Sequence, residues 1–479
     1  MSSNKDDFLE NIGSRSDRFD RDYPHFVEMK GVFRRVAGAI VSGDISIFPE
    51  QRGKGLDRRV GVEIEYSCIQ EDGKSLLETT RNSLVEANKD VLQKELGAAQ
   101  IEITTPAINI SGTRGFQELF QSISDVEQFA IDQLHTLGAR PVRLGIDPVV
   151  HLDERCRTQT VQRYRDVPDF HTKNRRQGLF RFLVVGNQMI PVYSGIVVGA
   201  MSSVQANVDC HSITEAIEML NIALCIGPFV VAMGANARFI NGVDSGMADM
   251  RGALWEWSHD IRTYAEMCTG KSSRVGLPEE YFTDLQSYFK DVYDQPPICK
   301  DPEKAFETFI GLYWRDSRLK FLRRGEETAQ TVLEFRPLSL QPSIEENYAL
   351  LLFFIGLMFQ WKSEQIPLMP LSYVHDNRWS AMMDGIRGVF WSWSGSGLVQ
   401  ASGREVLERM LIMAFNGLLG LGGNESDLAW VREIWEDRLI NGHPSDIIFD
   451  EVLNLLRQKR SSSGLERELF CEYLTMKVR

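Results

Sequence analysis

The segment Gly61–Ile69 reads GVEIEYSCI and alternates apolar with acidic residues. Side chains on a strand alternate faces, so Glu63 and Glu65 point one way while Val62 and Ile64 point into a core. Two like charges on one face of a half-buried strand call for water or a cation over that face. Three further segments repeat the pattern. In QIEIT, Gln100, Glu102 and Thr104 oppose Ile101 and Ile103. In VQANVD, Gln205, Asn207 and Asp209 oppose Val204, Ala206 and Val208. In LEFRP, Glu334 and Arg336 oppose Leu333 and Phe335.

A one-sided antiparallel sheet bathed in water would show such alternation on its own. The composition of the polar face argues for more. Acidic groups recur two apart without lysine neighbours. Two carboxylates about 4 Å apart repel by roughly 4 kcal/mol at an effective dielectric near 20. Several together raise one another's pKa unless a cation intervenes. Hard divalent cations prefer oxygen ligands, and Mg²⁺ combines carboxylates with substrate phosphates. The sheet is therefore a candidate Mg²⁺–nucleotide platform, its arginines suited to phosphates or a substrate carboxylate. Asp209 reads as structural.

The surrounding chain sets the frame. Residues 24–43 and 112–137 carry helical apolar spacing, the first through Phe26, Met29, Val32, Phe33, Val36 and Ile40. The second places Phe116, Leu119, Phe120, Ile123, Val126 and Phe129 on one face. Ser212 or Thr214 caps a helix running to about Ala235, with Gly227 and Pro228 expected to kink or break it. After Pro342 helices are expected at 343–361, 375–394, 403–417, 425–440 and 444–458. The aromatic set Trp379, Phe390, Trp391 and Trp393 then reads as helical packing. Strands rarely alternate with single helices. The expected fold is therefore α+β: a curved, mostly antiparallel sheet with helices packed on one side and a helical C-terminal region. The expected division is an N-terminal segment and helix at 1–57, a catalytic core at 58–342 and a helical region at 343–479.

Composition narrows the function. The chain of 479 residues carries a net charge of −13, which argues against nucleic-acid binding. Seven cysteines, widely spaced and never in CxxC, argue against a disulfide framework or structural zinc and for a reducing cytoplasm. The N-terminus lacks the apolar core of a signal peptide. The longest apolar run, Ala349–Phe359, is about half the ~20 residues a membrane helix needs, so no membrane partner is expected. Phosphate-loop, dinucleotide, GxSxG and HExxH motifs are absent.

The strings GVEIEYSCI, KELGAAQIEITTP, SSVQANVDC, GANARFINGVDSGMADMRGALW and VLEFRPLS, in that order, resemble the glutamate–cysteine ligase family. More broadly, they resemble the carboxylate–amine ligases of the glutamine-synthetase-like fold. GLLGLGGNESDLAWVREIWEDRLINGHPSD resembles that family's terminal helix pair. The resemblance implies a curved sheet that binds ATP and Mg²⁺, phosphorylates a substrate carboxylate and joins it to an amine. It implies Glu63, Glu65, Glu95, Glu102 and Glu334 as metal ligands, with substrate contact the alternative role for Glu95 and Glu102. It places Gln205 and Asn207 near nucleotide or metal, and Arg336 and Arg318 at the transferring phosphate. Arg251, Trp255, Arg163 and Tyr164 would meet the substrates, Arg251 as the clamp on a carboxylate. The implied partners are an amino acid and an amine, acted on by a monomer or homodimer. Two departures stand out: GANARF carries Ala237 and Arg238 where Ser and Pro are usual, and VVGNQMIPVYSGIVVG looks like an insertion placed to reshape the acceptor pocket.

Overall fold

The computed structural model describes residues 14–48, 57–112, 114–153, 155–174, 182–185, 188–191, 195–324, 328–395, 397–459 and 473–474. Its centre is an eight-stranded sheet of β1 (Arg59–Gln70), β2 (Leu92–Lys94), β3 (Gln100–Thr104), β4 (Ile108–Asn109), β5 (Ala139–Val142), β6 (Val204–Asp209), β7 (Ser317–Arg324) and β8 (Thr328–Phe335). The main path runs β7-β8-β6-β1-β3-β2, with β4 and β5 also paired to β1. Every pairing in it is antiparallel, and the sheet curls into a half-barrel. The expected α+β architecture is the one observed.

Register aligns the polar faces. Glu65 stands opposite Glu102 and Glu63 opposite Thr104. On the other side of β1, Glu63 pairs with Gln205. Glu334 pairs with Asn207 and with Arg318. The alternate positions Val62, Ile64, Ile101, Ile103, Val204, Ala206, Val208, Leu333 and Phe335 are all buried. Period-two alternation on four adjacent strands therefore gives one greasy face and one polar one.

Helices cover the greasy face. Those used below are α1 (His25–Val41), α2 (Gly115–His135), α3 (Gln162–Asn174), α4 (Ile213–Met233), α5 (Arg251–His259), α6 (Ile344–Ser363), α7 (Leu371–Asp384), α8 (Gly403–Gly420), α9 (Glu425–Asn441) and α10 (Pro444–Lys459). Phe335 of the sheet stacks on Phe354 of α6, ring centroids 3.9 Å apart. One buried cluster runs from Met29 in α1 to Leu439 in α9. All six described cysteines are free, five of them buried.

Four local expectations change. α4 is unbroken through Gly227 and Pro228. Ser212 caps it, accepting from the Glu215 amide at 3.1 Å. This helix, rather than Ala349–Phe359, is long and apolar enough to cross a membrane by composition, and 94% of its apolar window is buried within the protein. In α2, Phe129 is only half-buried while Glu127 is fully buried. Glu127 accepts from Arg143 Nη2 at 2.9 Å and from Asn347 Nδ2 at 2.9 Å, which compensates for burying its charge. Finally, the helix expected at 375–394 stops at Asp384. A hairpin follows, of β9 (Val389–Ser394) and β10 (Gly397–Ser402). Gly385 takes a left-handed φ of 56°, and VFWSWS has strand period two. Phe390 is buried while its alternates Trp391 and Trp393 are half-buried. The aromatic set therefore packs partly from a hairpin.

Candidate active site

The polar face of the sheet opens into a cleft of about 140 Å³. Glu63, Glu65, Glu95, Glu102, Gln205, Arg163, Tyr164, Arg251, Trp255, Arg318 and Arg336 all line it. Asn207 and Glu334 lie beside the lining, on the next strand positions. The structure thus gathers in one place residues drawn from positions 63 to 336.

Two charge arrangements divide this face. The first is a trio: one carboxylate oxygen each from Glu65, Glu95 and Glu102 lies within 4.8 Å of the others. Their hydrogen-bond donors among the described residues are all neutral. Glu65 accepts from Ser203 Oγ at 2.7 Å and from Gln205 Nε2 at 2.8 Å. Glu95 accepts from the Leu96 amide at 2.8 Å and from Tyr164 Oη at 3.2 Å. Burial pushes the Glu65 carboxyl up to about 7, and Glu95 adds to the effect. Burial also raises Glu95. Burial, then Glu95, Glu63 and Glu65, hold Glu102 well above the usual carboxylate range. Three buried oxygen donors, Glu65 and Glu102 pushed up further by their carboxylate neighbours, match the coordination chemistry of a hard divalent cation.

Glu95 reaches the trio through a tight turn. Gln100 Oε1 accepts from the Gly97 amide at 2.6 Å, and Gln100 Nε2 donates to the Met201 carbonyl. A Cβ at Gly97 would sit 2.2 Å from the Gly199 carbonyl oxygen. The glycine in ELGAAQIE is therefore required by close backbone approach.

The second arrangement surrounds Glu334. Arg318 holds it through Nε and through Nη2, the latter at 3.2 Å. Arg336 Nη1 donates at 2.7 Å, and Lys320 Nζ lies 2.5 Å away. The same ammonium lies 2.6 Å from Glu63 Oε1. Burial would raise Glu334, but Arg318, Lys320 and Arg336 hold it well below the usual range. The expectation of a carboxylate face without lysine neighbours is thus corrected. Lys320 shares a strand face with Arg318, two residues earlier, and the sheet curl carries it over Glu63. The RLKF segment held that signal.

The remaining side chains are placed as follows. Arg318 Nη1 also donates to the carbonyls of Ile310 at 2.9 Å and Gly311 at 2.8 Å, so this arginine ties Glu334 to the C-terminal end of the helix Ala305–Gly311. Asn207 Nδ2 donates to Glu63 Oε1 at 3.1 Å, and the buried Asn207 Oδ1 has no partner. Arg251 opens α5, fully enclosed, with Nη2 donating to the Arg336 carbonyl at 2.9 Å and Nε to Ser339 Oγ at 3.2 Å. The Arg336 guanidinium lies 5.1 Å from the Trp255 ring centroid. The Trp255 indole nitrogen is buried without a partner. Arg163 lies 6.0 Å from the Tyr164 ring centroid at the start of α3. Ser203, His259 and Trp314 complete the cleft region without having been singled out in the sequence.

The two departures separate. Arg238 turns from the cleft to Asp244, at 2.8 and 3.0 Å. Around the insertion, strands Phe182–Val185 and Gln188–Pro191 pair, and the 3₁₀ turn Gly195–Ala200 at its end contributes Val198 to the cleft wall. Residues 186–187 and 192–194 of this insertion lie outside the described set.

Family membership sets the class, the ATP-dependent ligases that join a carboxylate to an amine. The chain belongs to glutamate–cysteine ligase family 2, whose model matches residues 59–415. A glutamate–cysteine ligase from Francisella tularensis, solved in complex with AMP, is similar in structure at 12% identity and a TM-score of 0.54, with 90% of each chain covered. A bifunctional glutathione synthetase from Pasteurella multocida is similar at 11% identity and a TM-score of 0.50; the comparison covers 97% of this chain and 55% of that longer one. No curated protein sequence gives a significant match.

Proposed function

We propose that this chain forms a γ-glutamyl amide from glutamate and an amino-acid amine, at the expense of ATP, through an acyl phosphate. The observation that carries the reading is the convergence in one cleft of Glu65, Glu95 and Glu102 with Arg163, Arg251, Arg318 and Arg336. Bound Mg²⁺ would be held by the trio and would neutralise charge on the ATP phosphates. Arg336 stabilises the γ-phosphoryl group as it passes from ADP to the substrate carboxylate oxygen. Arg251 orients the donor through its α-carboxylate, which suits a planar fork. The amine nitrogen then attacks the acyl carbon, phosphate leaves and the nitrogen loses a proton. Gln205, Asn207 and Ser203 orient the carboxylates.

A second reading keeps the chemistry and changes the acceptor. It is favoured by Val198 and neighbouring Met201 on the cleft wall, which come from and directly follow the inserted segment. The test for both is ADP release from purified protein with Mg·ATP and pairs of amino acids and amines. Release with glutamate and an amino acid, cysteine included, supports the first reading. Release only with another pair supports the second, and release with none overturns both.

A further inference from the structure

We infer that Lys320 is a built-in cation that takes the place of one divalent ion on the sheet, leaving the nucleotide-free protein with a single divalent site at Glu65, Glu95 and Glu102. The inference rests on the metal reading above and sharpens it. Five glutamates come together here, and their pattern alone would suit two or more ions. The structure divides them by the charge of their partners. The trio is touched by neutral donors among the described residues: a hydroxyl and an amide side chain at Glu65, a backbone amide and a phenol at Glu95. Glu63 and Glu334 are bridged by the Lys320 ammonium, at 2.6 and 2.5 Å.

Charge counting separates the two groups further. Around Glu63 and Glu334 stand three cations, Lys320, Arg318 and Arg336, against two carboxylates. A divalent ion added there would meet a surplus of positive charge and two carboxylates already in use. At the trio it would meet three carboxylates with no ion pair among the described residues. An ammonium is a compact point charge whose three donors can bridge separate oxygens, as a small cation does.

The sheet curl makes the substitution possible. Lys320 is on β7 and Glu63 on β1, three strands apart in the order β7-β8-β6-β1. Strands stand about 4.8 Å apart, so a flat sheet would separate the two backbones by about 14 Å. Curling shortens that chord until the two side chains meet. Asn207 Nδ2, at 3.1 Å from the same Glu63 oxygen, holds the carboxylate under the lysine.

The test counts Mn²⁺ bound to the nucleotide-free full-length chain by electron paramagnetic resonance titration, with circular dichroism melts recording folding. Wild type should bind one ion, Lys320→Arg one, and Lys320→Met two, the second replacing the lost ammonium. Lys320→Gln should also bind two, which keeps the test open should the Met variant fail to fold. Two ions on wild type, or one ion on both folded neutral variants, would overturn the inference. Glu102→Gln separates the layers of the argument. Loss of the wild-type ion in that variant supports the trio site whatever Lys320 does. Retention of the ion overturns the trio as a metal site and this inference with it.

Discussion

Glu65 and Glu102 stand directly opposite one another on adjacent antiparallel strands. Like charges so placed destabilise a sheet. Here a third carboxylate, Glu95, is brought to the same point from the turn before β3. An arrangement that costs stability while empty is relieved by a bound cation. Glu102→Gln should therefore weaken Mg²⁺ binding and lower ADP release at least about 100-fold. The same change should leave the thermal midpoint unchanged or raise it in metal-free protein. Scanning calorimetry with and without Mg²⁺, beside an ADP assay, checks both.

Burial, with that crowding, sets a pH dependence. The Glu65 carboxyl sits at about 7 in the fold against 4.5 ordinarily. Its protonated form is the one the fold favours. Its contribution to metal-free stability is thus fully present below about 4.5 and is lost as pH rises through about 7. A divalent ion competes with that proton, and with the proton on Glu102, so Mg²⁺ affinity should climb continuously from pH 6 through pH 7 to pH 8. Titration calorimetry at these three values reads it. A flat profile would refute the proton–metal competition.

Arg251→Lys should raise KM for the carboxylate donor roughly 10- to 100-fold, the range expected when a charge-assisted hydrogen bond worth about 1.5–3 kcal/mol is lost. KM for ATP should stay within about twofold. The contrast matters because Arg251 is buried beside Arg336 through the Arg336 carbonyl, at 2.9 Å. Equal damage to both constants would mean that it serves the nucleotide half of the cleft.

Gly97→Ala should weaken metal binding without touching a ligand. The added Cβ would lie 2.2 Å from the Gly199 carbonyl oxygen and 2.5 Å from Gln100 Oε1. The turn must shift, at a cost of about 1–3 kcal/mol, and Glu95 moves with it. Gly61→Ala is the control, since its nearest neighbour would be 3.8 Å away. Mn²⁺ affinity and thermal midpoints of the pair give the comparison.

Away from the cleft, Glu215 accepts from Arg58 Nη2 at 2.8 Å and from Lys362 Nζ at 2.7 Å. Burial would raise its carboxyl, but Arg58 and Lys362 bring it down to about 2. Its stabilising effect is present above its ordinary 4.5 and is lost as pH falls toward 2. Glu215→Gln should cost roughly 1.5–3 kcal/mol at pH 7. Urea melts at pH 7 and pH 3 should show the gap from wild type narrowing in acid.

Much of this is legible in the sequence alone. Val62, Ile64, Ile101, Ile103, Leu333 and Phe335 are buried as their alternation predicts, because on a pleated strand face is a matter of parity alone. The Ser212 cap was readable for a similarly local reason. The hairpin at 389–402 is marked only by Gly385 and the period-two run VFWSWS. A helical aromatic stripe and a two-residue alternation look alike over six residues. α4 runs through Gly227 and Pro228 because its surroundings bury it on all sides, and packing overrides propensity.

By itself the sequence determined which face of each strand is polar and which residue types gather there, since both follow from spacing along one chain. The tertiary structure alone decided how those residues are shared out. The opposition of Glu65 and Glu102 depends on pairing register between β1 and β3. The division of five glutamates into a trio and a lysine-bridged pair depends on the curl of the sheet. Register and curl are relations between strands, and no local pattern records how far a lysine on β7 stands from a glutamate on β1.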